Sequence, residues 1–344
     1  MRIEVAIGWL ALSLAAGLHL SAGTSLAQSG NMDIYWIDVE GGGATLVIAP
    51  TGESLLVDVG WPRPEGRDAR RIAATMQEAG LEKLDYMLIT HFHTDHVGSL
   101  AELDELIRID HFLDHGGDTE ERNQVWRELY LEVAGDARMV AAAGDTMQLG
   151  GVDVKFISSN MELISETLPG GGPNPHCEGA EHKPAASPEN QRTLGALFRF
   201  GRFSFLNLGD LDWDMEMKLS CPVNRLGRVT LYQTSRHGAF DGAGAPAHLW
   251  AISPQVILFN NGPRKGITAP HMYERAAAVP GVEDIWQTHL ALEAPDHNTA
   301  VDLIANFEET EDCQGHWLRA SVAPDGQYTM TNGRNGYSRT YTAR

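Results

Sequence analysis

The sequence predicts an α/β protein built in four layers, two β-sheets packed face to face with helices on both outer faces, ending in a C-terminal β-meander. Three observations carry this expectation. The chain opens with β-rich runs and continues as alternating helix and strand, a second series of similar shape follows residue 145, and no linker separates the two. At 344 residues, 43% hydrophobic and 21% charged, the chain can bury a large core.

Met32 to Val39, Ala44 to Ala49 and Ser54 to Val59 are short β-rich runs punctuated by Gly41-Gly42-Gly43 and Pro50-Thr51-Gly52, the pattern of an antiparallel meander in which the glycines form a tight turn. Ala69, Ile72, Ala73 and Met76 then recur at helical spacing within Arg67 to Ala79. Asp85 to Thr90 reads as a buried strand, and Val97, Leu100, Leu103, Leu106 and Ile107 mark the next helix. In the second series Val152 to Ile157, Ala196 to Phe200, Phe203 to Leu208, Val229 to Thr234, Val256 to Asn260 and Asp284 to Thr288 are expected strands. Helices are expected at Trp213 to Leu219, Ala245 to Ile252 and His271 to Ala278. His316 to Ser321, Gln327 to Thr331 and Tyr337 to Thr342 form the closing meander. One segment, Leu168 to Arg192, breaks the rhythm with five prolines, and a loop of that length within a compact domain is usually functional or disordered.

Val5 to Leu20 is an apolar run after Arg2, followed by the small-x-small site Ser25-Leu26-Ala27. Residues 1–27 are therefore expected to be a signal peptide and 28–344 a single domain, its core about 32–290 and its β extension about 315–344. The run contains Gly8, Gly17 and His19 and falls short of the ~20 apolar residues of a spanning helix, so no stable membrane anchor is expected after cleavage. The expected location is periplasmic or secreted. Export permits disulfides, yet Cys177, Cys221 and Cys313 can close at most one bridge, whose pairing the sequence leaves open.

The chemistry is concentrated in His91-Phe92-His93-Thr94-Asp95-His96, at a strand-to-helix junction. Alternate residues of an extended segment share one side, so His91 and His93 can grip one ion while the turn into the helix aims Asp95 and His96 at a second point. Imidazole and carboxylate suit Zn²⁺, as one or two ions, with iron or manganese as alternatives. Surface residues at a helix N-cap would account for Thr94 or Asp95 but not for three histidines in register.

These residues match in full the HxHxDH signature of the metallo-β-lactamase-fold superfamily, and the sequence resembles most its competence-protein (ComEC/Rec2-like) branch. Ile37-Asp38-Val39-Glu40-Gly41-Gly42-Gly43-Ala44 approximates that branch's IDVGQGDA, and Leu55 to Gly60 its LIDxG. The resemblance implies that Asp210, after the strand Phe203 to Leu208, bridges two metals, and that His237 in Thr234-Ser235-Arg236-His237-Gly238 supplies a late ligand. The ordinary reading of Asp210 is an N-cap for the helix near Trp213. Two departures stand out. Asn190 occupies the place of a further histidine, so the first site holds His91, His93 and Asp210 alone, keeps an open position, or borrows His176 or His182 from the long loop. Arg236 replaces the first of two histidines and is a candidate to grip a carboxylate or phosphate or to stabilise an oxyanion. His289, at a strand end, is a further candidate for substrate binding, and His248 reads as a core group.

A divalent ion lowers the pKa of its bound water to about 7, so the site implies a hydrolase using metal-bound hydroxide, with Asp95 orienting it and taking its proton. Lys and Arg number 26 against 46 Asp and Glu, a net charge of −20, which opposes a long polyanion. The expected substrate is a small ester, lactone, amide or phosphoester, and nucleic acid is a poor match. The alternatives are a phosphodiesterase or nuclease like the competence branch, and a secreted binding protein with a degraded metal site. Oligomeric state is left open.

Overall fold

The computed structural model describes residues 30–185, 187–239, 242–267, 270–309 and 313–344. The expected signal peptide lies outside the described residues.

Two nine-stranded sheets face each other. The first runs, in spatial order, Ser338–Thr342, Gln327–Asn332, Leu318–Val322, Met32–Trp36, Thr45–Ile48, Ser54–Val57, Lys83–Leu88, Arg108–Asp114 and Arg138–Val140. It is antiparallel up to Ser54–Val57 and parallel beyond. The second runs Ile304–Asn306, Asp284–His289, Val256–Phe259, Leu231–Gln233, Phe203–Asn207, Gly195–Phe200, Val152–Ser159 and Thr146–Leu149, with Glu162–Leu163 paired to Val152–Ser159. Its first five strands are mutually parallel and the rest antiparallel.

The period of two along each strand sorts side chains between layers. Val47, Leu55, Phe205, Leu231 and Leu258 point between the sheets, joined by Trp36, Phe198 and Trp286. Their neighbours Leu46 and Leu56 point outward onto Ala69, Ile72 and Met76 of the helix Arg67–Glu78, Leu100 and Leu103 of Leu100–Leu106, and Tyr130 of Gln124–Ala134. On the far side Leu206, Tyr232 and Ile257 meet Met215 and Leu219 of Trp213–Ser220, Leu249 and Ile252 of Pro246–Ile252, and Met272 of Pro270–Ala277. Each such side chain contributes roughly 1.5–3 kcal/mol on burial. Arg67–Glu78 stops where Gly80, at φ 77°, lets its own N–H reach Gln77 O and the Leu81 N–H reach Met76 O, satisfying two terminal carbonyls.

The closing meander is not an appendage: Leu318–Val322 pairs with Met32–Trp36, so the C-terminal strands complete the first sheet and bury Tyr328, Met330 and Tyr341 in the shared core. In the long segment, Asn174 donates to the Ser220 and Ala247 carbonyls, and Cys177 is bonded to Cys221 at the end of the helix Trp213–Ser220. Cys313 is free and buried. Among the described residues no helix is long and apolar enough to cross a membrane.

Candidate metal centre

Parallel strands deliver their carboxyl ends to one crevice, the usual place for a site in α/β sheets. Lys83–Leu88 leads to His91, His93, Asp95 and His96; Phe203–Asn207 leads to Asp210; Leu231–Gln233 leads to His237. The structure gathers them into two groups whose ligand atoms lie within 4.8 Å of one another: His91, His93 and Asp210 in one, and Asp95, His96, Asp210 and His237 in the other. Asp210 belongs to both. The capping role it could have played is filled by Asp212, whose side chain accepts from Met215 N at 3.2 Å.

In each of three imidazoles a neighbour occupies the outer nitrogen and the inner one faces the cluster. Thr90 Oγ1 lies 2.9 Å from His91 Nδ1, Asp58 Oδ2 lies 2.7 Å from His96 Nδ1, and the Asn260 amide lies 3.0 Å from His237 Nδ1. This is how metal-binding histidines are oriented. His91 Nε2 and His93 Nδ1 are 2.9 Å apart. His96 Nε2 lies 3.2 Å from Asp95 Oδ2 and 3.3 Å from Asp210 Oδ1, and His237 Nε2 lies 3.2 Å from each. Bonds of about 2.0–2.1 Å to a tetrahedral ion imply edges of about 3.3 Å. His96 Nε2, His237 Nε2 and Asp210 Oδ1 are buried and have no hydrogen-bond partner. Orphaned atoms of this kind are costly without an ion, so the donor set fits a metal.

Burial pushes the His91 imidazole well below its ordinary pKa, with His96 and His93 adding to the effect, and burial lowers His93 as well; both are held as neutral donors. Burial would raise the carboxyls of Asp95 and Asp210. Lys265 and His96 outweigh it at the first, His237 and His96 at the second, and both stay well below the usual carboxylate range. His96 is itself held well above the ordinary histidine value, because Asp95, Asp210 and Asp58 overcome the effect of burial.

Several supporting residues escaped the sequence reading. Lys265 Nζ contacts Asp95 Oδ2 and lies 4.7 Å from the centre of the Trp61 ring, which Arg63 also approaches at 5.2 Å. Asp58 accepts from Thr90 N and Oγ1 as well as holding His96, and the LIDxG-like motif was its only local signal. Glu189 takes the Phe92 N–H at 2.7 Å and the Thr119 hydroxyl at 2.6 Å, which fixes the backbone between His91 and His93. The three glycines do more than turn: Gly43 N donates to Asp95 O at 2.9 Å, and a Cβ on Gly42 would lie 2.6 Å from that same oxygen.

Other candidates stand elsewhere. Asn190 is buried beside Glu189, and its Oδ1 has no hydrogen-bond partner. His176 packs on Trp250, 5.3 Å between ring centres, and His182 is exposed; neither joins the first group, because the loop's disulfide and Asn174 tie it over the helices Trp213–Ser220 and Pro246–Ile252. His289 belongs to a different buried trio with Asp38 and Cys313, since its strand is two places beyond Leu231–Gln233 in the sheet. Arg236, at φ 51°, gives its N–H to Gly209 O and lays its guanidinium against Gly242. His248 is a core group, as expected, with Nδ1 2.7 Å from Ser220 Oγ.

A family model described as Metallo-beta-lactamase superfamily matches residues 38–180, which include the HxHxDH segment. With the αββα architecture, this gives the chain the metallo-beta-lactamase fold, with a buried His/Asp cluster that resembles a metal site. Among solved structures it is similar to the metallo-beta-lactamase fold protein YhfI from Bacillus subtilis, at 13% identity over 75% of this chain and 96% of that one, TM-score 0.49. It is also similar to CmlA, a diiron beta-hydroxylase from Streptomyces venezuelae, at 16% identity over 73% of this chain and 47% of that one, TM-score 0.39. A third is MEM-A1, a subclass B3 metallo-beta-lactamase from a soil metagenome library, at 18% identity over 51% and 58%, TM-score 0.32. The chain thus spans about half the length of CmlA. No curated protein matches it.

Proposed function

We propose that the chain is an exported hydrolase of small substrates that uses two metal ions sharing Asp210. The observation that carries this reading is the convergence of buried, unpartnered His96 Nε2, His237 Nε2 and Asp210 Oδ1. His91, His93 and Asp210 would hold one ion, and Asp95, His96, Asp210 and His237 the other. Zinc fits these donors, with iron and manganese as alternatives. Bound there, the ions supply Lewis acidity and a nucleophilic water at neutral pH.

The chain's own residues do the rest. Asp95, held ionised by Lys265 and His96, offers a carboxylate that can orient an attacking water. Lys265 and Arg63, gathered at Trp61, place two cations at the rim, where they can receive a carboxylate or phosphate of the substrate. Arg236 lies against Gly242, and Lys265 holds the Asp95 carboxylate. The charge of −20 supports a small anionic ester, lactone, amide or phosphoester over a long nucleic acid. The Cys177–Cys221 bridge supports export.

Nitrophenyl esters, bis-nitrophenyl phosphate, lactones and nitrocefin, assayed on zinc-replete protein, test the reading. Hydrolysis of at least one is expected, falling at least a hundredfold in Asp95→Ala and Asp210→Ala. Activity surviving both changes contradicts the assignment. A loaded protein inert to the whole panel supports the binding-protein alternative.

A further inference from the structure

We propose that Asp38, His289 and Cys313 form a separate structural zinc site that clasps the C-terminal segment to the sandwich. The ligand atoms of the three residues lie within 4.8 Å of one another, and the trio shares no residue with the central cluster. Asp38 and His289 are 1% and 0% exposed and Cys313 is 8% exposed, so an ion held by these three donors would be shut off from solvent. Asp38 follows the strand Met32–Trp36 in the first sheet, His289 ends the strand Asp284–His289 in the second, and Cys313 precedes Leu318–Val322. One ion here would tie both sheets to the segment that completes the first.

The surroundings are built for it. Cys313 Sγ lies 3.9 Å from Asp38 Oδ2, against an edge of roughly 3.6–3.8 Å expected from zinc bonds of about 2.3 Å to sulfur and 2.1 Å to oxygen. Arg71 donates to the main-chain carbonyls of both Asp38, at 2.9 Å, and Cys313, at 2.6 Å, which fixes the two segments without using Asp38 Oδ2 or the sulfur as its main acceptor. Asp38 Oδ1 accepts from Glu40 N at 2.9 Å, leaving Oδ2 toward the thiol. His289 Nδ1 lies 3.1 Å from Leu290 O and Nε2 lies 3.3 Å from Glu308 O. Both contacts are to carbonyls, so an ion at Nε2 would displace that nitrogen's proton and its contact with Glu308 O, while Nδ1–H stays on Leu290 O, the arrangement in which a backbone carbonyl orients a ligand histidine. Asn306 Oδ1, 3.9 Å from the sulfur, already accepts His316 N at 2.8 Å and is a wall of the site. A thiol, an imidazole and a carboxylate together select zinc over magnesium, calcium or manganese, with the thiol proton released on binding.

The central cluster contains only His and Asp, and Cys177 and Cys221 are joined, so a thiolate on a bound metal can come from Cys313 alone. Cobalt(II) titration of the metal-free, disulfide-intact protein reads this directly. A near-ultraviolet thiolate-to-cobalt charge-transfer band is expected, saturating at one equivalent, lost in Cys313→Ser and kept in His91→Ala. Bound metal should fall by one equivalent in Cys313→Ser. Wild-type protein that develops the visible bands of the His/Asp centre but no thiolate band overturns the proposal. A thiolate band that survives Cys313→Ser overturns it equally. If Cys313→Ser does not fold, the wild-type spectrum alone decides.

Discussion

At the residue scale, two buried groups set opposite edges on stability. Glu216, fully buried, accepts from Tyr232 Oη at 3.2 Å and Ala245 N at 2.9 Å, and burial pushes its carboxyl from 4.5 up to about 7. A raised folded-state value means that its contribution is fully present below pH ~4.5 and lost as pH rises through ~7. His248 goes the other way: burial lowers it from 6.5 to about 3, so its contribution is present above pH ~6.5 and lost on acidification toward 3. Between pH 5 and 6.5 the two slopes oppose each other, so thermal unfolding of Glu216→Gln should show a rise with pH that the native protein lacks; the same profile in both proteins would refute that origin. Legibility at this scale was uneven. Six residues carried the HxHxDH motif in one stretch, whereas Asp58 follows the strand Ser54–Val57 and Asn260 and Lys265 both follow Val256–Phe259, and no spacing betrays the last two. His176 and His182 were misplaced because a loop's composition says nothing of where it is tethered.

At the element scale, the turn from Asn207 to Trp213 decides where Asp210 points. Asn207 Oδ1 accepts Gly209 N at 2.9 Å, Gly209 sits at φ 49°, and Asp212 caps the following helix. Asp212→Ala should cost about 1 kcal/mol in urea unfolding, a typical capping loss, and should also weaken metal binding at Asp210. Unchanged stability would mean that the cap contributes nothing. Elements with one buried stripe, such as Arg67–Glu78, were legible from periodicity. Gln124–Ala134 was not: Val125, Trp126, Leu129, Leu131 and Val133 place apolar side chains all round it, and only Tyr130 and Ala134 are buried. The junction between Val97 and Leu100, read as one helix with Leu106, is two helices because Ser99 turns to give its hydroxyl to Trp61 O.

For the whole molecule, the αββα order followed from two successive β/α series, but the place of the closing meander did not. Its register with Met32–Trp36 joins distant parts of the chain and depends on the sandwich already being closed. The Cys177–Cys221 bridge was likewise open, since three cysteines allow three pairings. It spans 44 residues, and its loss in Cys177→Ser or under reductant should lower the unfolding free energy by about 2–4 kcal/mol. No difference between reduced and oxidised protein would show that the bridge does not constrain the chain. The −20 charge bears on partners, while at the site Lys265 pairs with Asp95 and both Lys265 and Arg63 approach the Trp61 ring.

The central claim is that two ions share Asp210, and metal stoichiometry in the Cys313→Ser background tests it most directly. Zinc-replete protein should hold two equivalents, and adding Asp210→Ala should reduce this to about one or fewer under the same dialysis, because the first group keeps only His91 and His93 and the second keeps three of its four donors. Two equivalents retained after Asp210→Ala, or fewer than one before it, would contradict the account.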